Sequence, residues 1–349
     1  MPFLILLLLS VVGIVFWTLQ MTTGFFGKRY YTQTGLLLLI GLLCLVIGVT
    51  LDRSAWPALV GWIILMAIAA YHFGLAITKL YNVDSRFRAM PKAFRALVDF
   101  NTPHTEFSLK TADGVNISAV KLGNTASDKA IVVCHGAGRS KNTLPVVQTC
   151  EVLATRYDVY TFDFRGHMES GGYFRANGDT EADLKAVLDH VRKQPYKKVA
   201  VFGWSIGAYT AMLSAAQGRP IDALVLGAPP VDGVDHTREM RLLRQFRFLE
   251  PLILGGTAVI RNFRTLPLNQ TPVRVGDFVG KLPDIPVLFL HNDYDYRLDQ
   301  DAQAFIDLFE KIPVTCKERV PLTGRGHLFD WPNTFFVWEK AIAWLDQYF

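Results

Sequence analysis

The chain has 349 residues, half of them hydrophobic, and a formal net charge of +5. That length leaves room for a large core plus an appendage. Cys44, Cys134, Cys150 and Cys316 show no paired spacing, which argues against a disulfide framework and fits a reducing compartment. The sequence has no zinc-ligand spacing, His-Glu-x-x-His motif or nucleic-acid motif, so neither a metal, nor an organic cofactor, nor a nucleic-acid partner is expected.

Mean hydropathy is +0.22, and the apolar excess lies in the first eighty residues. Phe3 to Met21 is an uncharged run long enough to cross a ~30 Å hydrocarbon core as a helix. Gly35 to Leu51 and Ala58 to Thr78 follow, with Trp56, Trp62, Tyr71 and Tyr81 near the ends of the third segment, where aromatic rings favour the interface. The spacing predicts three transmembrane helices, at about 3–21, 35–51 and 58–78, within an anchor covering 1–83. A cleaved signal peptide is the alternative for the first, but it lacks a basic leading region and a small-residue cleavage site. Lys28 and Arg29 follow the first span, and Lys79, Arg86, Arg88, Lys92 and Arg95 follow the third. Basic loops stay cytoplasmic, so the expectation is a multi-pass membrane protein, in an inner or plasma membrane, with its large C-terminal part in the cytoplasm.

Residues 84–104 read as a basic amphipathic linker, with Phe87, Met90, Phe94, Leu97 and Val98 at helical spacing. From Thr105 strands and helices alternate. Glu106–Lys110 and Val115–Leu122 flank a turn at Ala112-Asp113-Gly114 and predict a hairpin. Ala130–Cys134, Val159–Phe162, Val199–Phe202, Ala223–Leu226 and Val287–Leu290 are short continuous apolar runs, as for parallel strands buried on both faces. Glu318–Pro321 reads as the last strand. Asp179–Arg192 and Asn333–Tyr348 read as helices. The fold class is therefore α/β, a doubly wound and mostly parallel sheet over 105–349. Residues 229–284 break the rhythm and carry Arg238, Arg241, Arg244, Arg247, Arg261 and Arg264 among apolar residues. They read as a helical lid over the carboxyl ends of the strands, where ligands bind in such sheets.

Gly203-Trp204-Ser205-Ile206-Gly207 joins the run Lys198–Phe202 to the small-residue helical run Ala208–Ala216. Strand, sharp turn and helix are the context in which a G-x-S-x-G turn presents a nucleophilic serine. A serine hydroxyl needs a base, and the base needs an orienting group. His327 stands in the glycine-rich stretch Gly324-Arg325-Gly326-His327. Asp293 and Asp295 both follow the strand ending near Leu290, with Asp232 and Asp235 as more remote alternatives. His135-Gly136-Ala137-Gly138 follows the strand ending at Cys134, and Asp163-Phe164-Arg165-Gly166-His167-Met168-Glu169-Ser170-Gly171 follows the next one.

In these motifs and their order the chain resembles the α/β-hydrolase superfamily over roughly Thr105 to Phe349. Its pattern is similar to membrane-tethered lipid esterases and depalmitoylases and to serine-aminopeptidase-like hydrolases. The resemblance implies a triad of Ser205, Asp295 and His327, with Asp293 the competing acid. It also implies an oxyanion hole from the backbone N–H groups of Ala137 and Ile206. Two departures stand out. Met168 replaces the second glycine of the D-x-R-G-x-G-x-S loop, and Asn292 stands where His-Gly is common before the acid. The implied activity is hydrolysis of a carboxylic ester or thioester of a lipid or acylated substrate at a membrane bilayer, through an acyl-enzyme and without a cofactor. A peptidase, an acyltransferase or a non-catalytic membrane binding module are the alternatives.

Overall fold

A computed structural model describes residues 97–123, 127–175, 178–231, 264, 273–295, 298, 300–329 and 334–349. The three apolar segments, the linker up to residue 96, Asp232, Asp235 and most of the 229–284 insertion lie outside the described residues. Among the described residues no helix is long and apolar enough to cross a membrane. The chain divides after Lys92, and Ala93–Phe349 forms a compact unit.

Among the described residues that unit is built on a nine-stranded sheet. Strands β1 (His104–Lys110) and β2 (Asn116–Leu122) pair antiparallel, and their turn places Gly114 at φ +84°. β2 then pairs antiparallel with β4 (Asp158–Phe162). From β4 the sheet is parallel through β3 (Lys129–Cys134), β5 (Lys198–Trp204), β6 (Ala223–Gly227) and β7 (Val287–Asp295). β9 (Lys317–Arg325) pairs parallel with β7, and the two-residue β8 (Gln300–Asp301) pairs antiparallel with its end. The apolar runs of β3 to β6 are buried on both faces because helices cover both sides.

Among the described residues five helices do the covering: α1 (Leu144–Leu153), α2 (Thr180–Val191), α3 (Ile206–Ala216), α4 (Ala302–Glu310) and α5 (Thr334–Tyr348). α2, α3 and α4 share one core with Val132, Val201 and Leu224. On the other face α5 packs against α1, where the Trp338 indole donates to Thr149 Oγ1 at 2.9 Å.

Several elements differ from the sequence reading. β7 does not stop near Leu290 but runs through Asp295, and β9 extends from Glu318–Pro321 to Lys317–Arg325. Polar side chains hide these extensions from an apolar-run reading, while backbone pairing from Leu290 with Val320 to Tyr294 with Arg325 sustains them. Helices α1 and α4 and strand β8 were not individually expected. Leu97–Phe100 is extended rather than helical, since Val98 N donates to Asn142 O at 2.9 Å and Leu97 bridges Thr143. Within the insertion, residues 273–284 join the body of the domain. Val275, Phe278, Val279 and Leu282 are buried in the core, Phe278 packs edge-on against Tyr209, and the Tyr209 hydroxyl donates to Val273 O at 2.7 Å.

Candidate active site

All the sequence-identified loops sit at the carboxyl ends of parallel strands. Ser205 closes β5 and opens α3 with φ +54° and ψ −124°, a region that non-glycine residues rarely occupy. Such a conformation costs on the order of 1–3 kcal/mol and persists only where neighbours fix it. The Ser205 N–H donates to Gly227 O at 2.7 Å, and Ser205 O accepts from Tyr209 N as α3 begins. A methyl group on Gly203 would meet the backbone of Gly207 and Ala208, and one on Gly207 would meet the Cys134 carbonyl. The G-x-S-x-G pattern is therefore a consequence of chain segments touching there.

The histidine loop follows β9 and packs beside the residues that flank Ser205. His327 Nδ1 lies 2.6 Å from Asp295 Oδ2, and Asp295 is fully buried. A carboxylate only accepts, so Nδ1 carries a proton, and in the neutral imidazole Nε2 is the nitrogen with the lone pair. Asp295 Oδ1 accepts from Leu298 N at 3.1 Å. The residues after His327 pack against those beside Ser205. Leu328 fills the space that a side chain on Gly227 would need. Phe329 lies edge-on to Trp204, with ring centroids 4.8 Å apart. Asp293 does something else: it is exposed, and its Oδ2 accepts from Gly324 N at 2.8 Å. A register irregularity in the β7–β9 pairing between Asn292 and Tyr294 separates the environments of the two acids, an effect that period-two reasoning does not see.

The loop after β3 lies alongside Ser205. A methyl group on Gly136 would stand 3.3 Å from Ser205 Cβ. The N–H groups of Ala137 and Ile206 make no hydrogen bond among the described residues, and Ile206 opens α3, where helix N–H groups are unpaired and the dipole favours negative charge.

Two buried histidines hold this loop. His135 Nδ1 donates to Gly136 O at 2.8 Å and Nε2 accepts from Phe164 N at 3.1 Å. His167 Nδ1 donates to Arg165 O, and Nε2 accepts from Gly138 N, both at 3.0 Å. Both rings are thus fixed neutral. Burial lowers His135 to about 4, and burial followed by the neighbouring His135 lowers His167 to about 3. Farther along, Lys141 is buried between Asp163, at 3.3 Å, and Glu169, at 2.5 Å, an ion cluster with no obvious sequence signal. Arg165 is buried too, bonded at 2.8 Å to both Asp113 and Asp183. Met168, in place of the expected glycine, adopts φ +36°, so this loop keeps a left-handed turn despite the side chain.

His291 lies apart from the site. Its Nδ1 donates to Asn292 O and its Nε2 accepts from Arg319.

Comparison with known proteins agrees with this architecture. Residues 125–256 match the family model described as serine aminopeptidase, S33. A probable alcohol acetyltransferase of Wickerhamomyces anomalus is 32% identical over 101 residues, covering 29% of each protein. One from Cyberlindnera jadinii is 29% identical over 109 residues, 30% of each. The chain thus spans under a third of these relatives' length. An esterase from Pyrococcus furiosus superposes with a TM-score of 0.59 at 20% identity, over 73% of this chain and 97% of its own. The α/β hydrolase GrgF from Penicillium superposes at 0.54 and 15% identity, over 70% and 99%. At these identities the likeness is one of fold. Sheet order and strand-end loops share the fold of these α/β hydrolases, and residues 125–256 carry the sequence similarity to the serine aminopeptidase, S33 family.

The neutral histidines make stability depend on pH. Between pH 6.5 and about 4 the unfolded chain binds protons that the folded rings refuse, so stability is intact above that window and falls as pH drops through it. The slope is about 1.4 kcal/mol per pH unit per histidine, or roughly 2 kcal/mol each between pH 7 and pH 5. Between these two pH values, urea unfolding of His167→Gln should therefore lose roughly 2 kcal/mol less stability than the parent does. Equal pH sensitivity of parent and variant would mean that His167 is not held neutral.

The two acids should also separate. Asp295→Asn is expected to lower ester turnover by ~10⁴-fold with little change in KM. Asp293→Asn keeps an acceptor for Gly324 N–H and should cost less than about tenfold. Steady-state kinetics of the two folded variants decide between them, and a crippled Asp293→Asn would reverse the assignment.

Proposed function

We propose that the chain is a serine hydrolase cleaving a carboxylic ester or thioester through Ser205, His327 and Asp295. The observation that carries this reading is the strained Ser205 at the start of α3, packed against a loop whose histidine is fixed by a buried carboxylate. Ser205 Oγ attacks the acyl carbonyl and its proton passes to His327 Nε2. Negative charge forms on the carbonyl oxygen, where the free N–H groups of Ala137 and Ile206 stabilise it; losing one such donor typically costs about 3 kcal/mol. Collapse breaks the bond to the leaving alcohol or thiol, which takes the proton from His327. Water then adds to the acyl-enzyme by the same route and releases the acid.

A second reading differs only in the acceptor. Similarity to probable alcohol acetyltransferases favours acyl transfer to an alcohol, which would replace water in the second half-reaction. The apolar first eighty residues support a membrane-anchored enzyme with a cytoplasmic catalytic unit acting on a lipid or acylated substrate.

Parent protein should label with a fluorophosphonate probe and hydrolyse short esters, and Ser205→Ala should do neither. A folded Ser205→Ala protein that still turns over ester would refute the mechanism. Adding an alcohol to the ester assay separates the two readings, since a transferase yields the new ester at the expense of free acid.

For topology, a reporter fused after Phe349 should read cytoplasmic and one near Asp52 external. An external C-terminus would overturn the anchoring scheme.

A further inference from the structure

Asn292 is fully buried at the end of β7, and its Oδ1 accepts from Leu328 N at 2.8 Å. Leu328 sits at φ +52°, a left-handed conformation that a bulky residue adopts only when its surroundings fix it. Two contacts do so. The Asn292 carbonyl takes its N–H, and its side chain fills the space above Gly227, whose own carbonyl takes the Ser205 N–H. The other β7 residues grip the same loop in succession. Asp293 Oδ2 accepts from Gly324 N, Tyr294 O accepts from Gly326 N at 3.0 Å, and Asp295 Oδ2 accepts from His327 Nδ1.

We propose that Asn292 is a positioning residue, holding the His327 imidazole in register with Ser205 by fixing the backbone of Leu328. This rests on the serine-hydrolase reading above. Asp295 alone fixes one ring nitrogen and leaves the ring free to swing about that bond. Anchoring the next peptide unit removes that freedom. A stability role alone explains Asn292 poorly, because its Nδ2 is buried without a hydrogen-bond partner. An unpaired buried donor costs on the order of 1–3 kcal/mol, which offsets the bond its Oδ1 makes.

The test uses the whole 349-residue chain with Asn292→Leu, which removes the acceptor while keeping the γ-branched shape, and Asn292→Asp, which keeps an oxygen facing Leu328 N. Ester kcat is expressed per active site titrated with fluorophosphonate, so misfolded protein does not count. Displacing a reacting group by about 1 Å can cost 10²-fold. Asn292→Leu should therefore lose roughly 30- to 100-fold in kcat per titrated site with KM within about threefold, and Asn292→Asp should recover most of it. An undiminished kcat per site in Asn292→Leu, or equal losses in both variants, would overturn the proposal. Should Asn292→Leu fail to fold, Asn292→Ala against Asn292→Asp gives the same comparison. The His327 Nδ1 proton, read by NMR, provides a measure independent of turnover. Its strongly hydrogen-bonded resonance should persist in the parent and Asn292→Asp and broaden or vanish in Asn292→Leu. A parent that fails to label at Ser205 but keeps this NMR pattern would refute the serine-hydrolase reading while leaving the positioning of the imidazole intact. A resonance unchanged in Asn292→Leu would refute the positioning.

Discussion

The site depends on one backbone constraint, the left-handed conformation of Ser205 between β5 and α3. To hold it, four chain segments come closer together than side chains allow. β3 touches α3 at Gly207, β5 touches the same helix at Gly203, the loop after β3 touches Ser205 at Gly136, and the histidine loop touches β6 at Gly227. The strain is local, while the burial that offsets it is spread through the strands and the helices packed on them. The hydroxyl and the unpaired N–H of Ile206 are presented together because both follow from the same turn.

Around this constraint the loops are held by polar groups buried in pairs or small clusters. His135 and His167 tie the β3 loop to the β4 loop as neutral donor–acceptor rings. Lys141 joins the same two loops as a charge, and Arg165 connects the second to the hairpin turn through Asp113 and to α2 through Asp183. The Arg165 guanidinium holds the Asp113 carboxyl down to about 2. Arg264, within the insertion, inserts its backbone between Gly166 and Phe174, where a side chain on Gly166 could not fit. Buried ion pairs add little net stability, but breaking one leaves a charge uncompensated and is costly.

Much of this was legible in the sequence for physical reasons that can be named. Parallel strands buried on both faces read as apolar runs, so β3 to β6 were found nearly to the residue. The G-x-S-x-G turn was legible because close contact demands glycine at fixed spacing. What escaped were features carried by backbone pairing or by tertiary polar contacts. α1 starts at Leu144-Pro145 with no side-chain cap, and the Lys141 cluster joins residues more than twenty positions apart. Leu97–Phe100 shows helical spacing, yet a single bridge to the residues before α1 fixes it as extended chain. Met168 looked like a departure in shape, but the loop keeps its left-handed turn, because Gly138, Asp163 and Asn116 bind His167, Glu169 and Gly171 on either side.

The placement of the acid shows why an apolar run is a poor guide to where a strand ends. A strand needs backbone partners, and β9 supplies them to β7 well past Leu290, so residues that look like a polar loop remain on a rigid element. The pairing irregularity after Asn292 then divides neighbours of similar chemistry. Asp293 is turned to solvent and a glycine N–H, while Asp295 is turned inward to the imidazole. Side chains on a strand end are held more narrowly than on a flexible loop, and a base must be held within a fraction of an ångström of its partner. The extension of β7 therefore ties the geometry of the acid, and through Asn292 that of the loop beyond it, to the sheet that also carries Ser205.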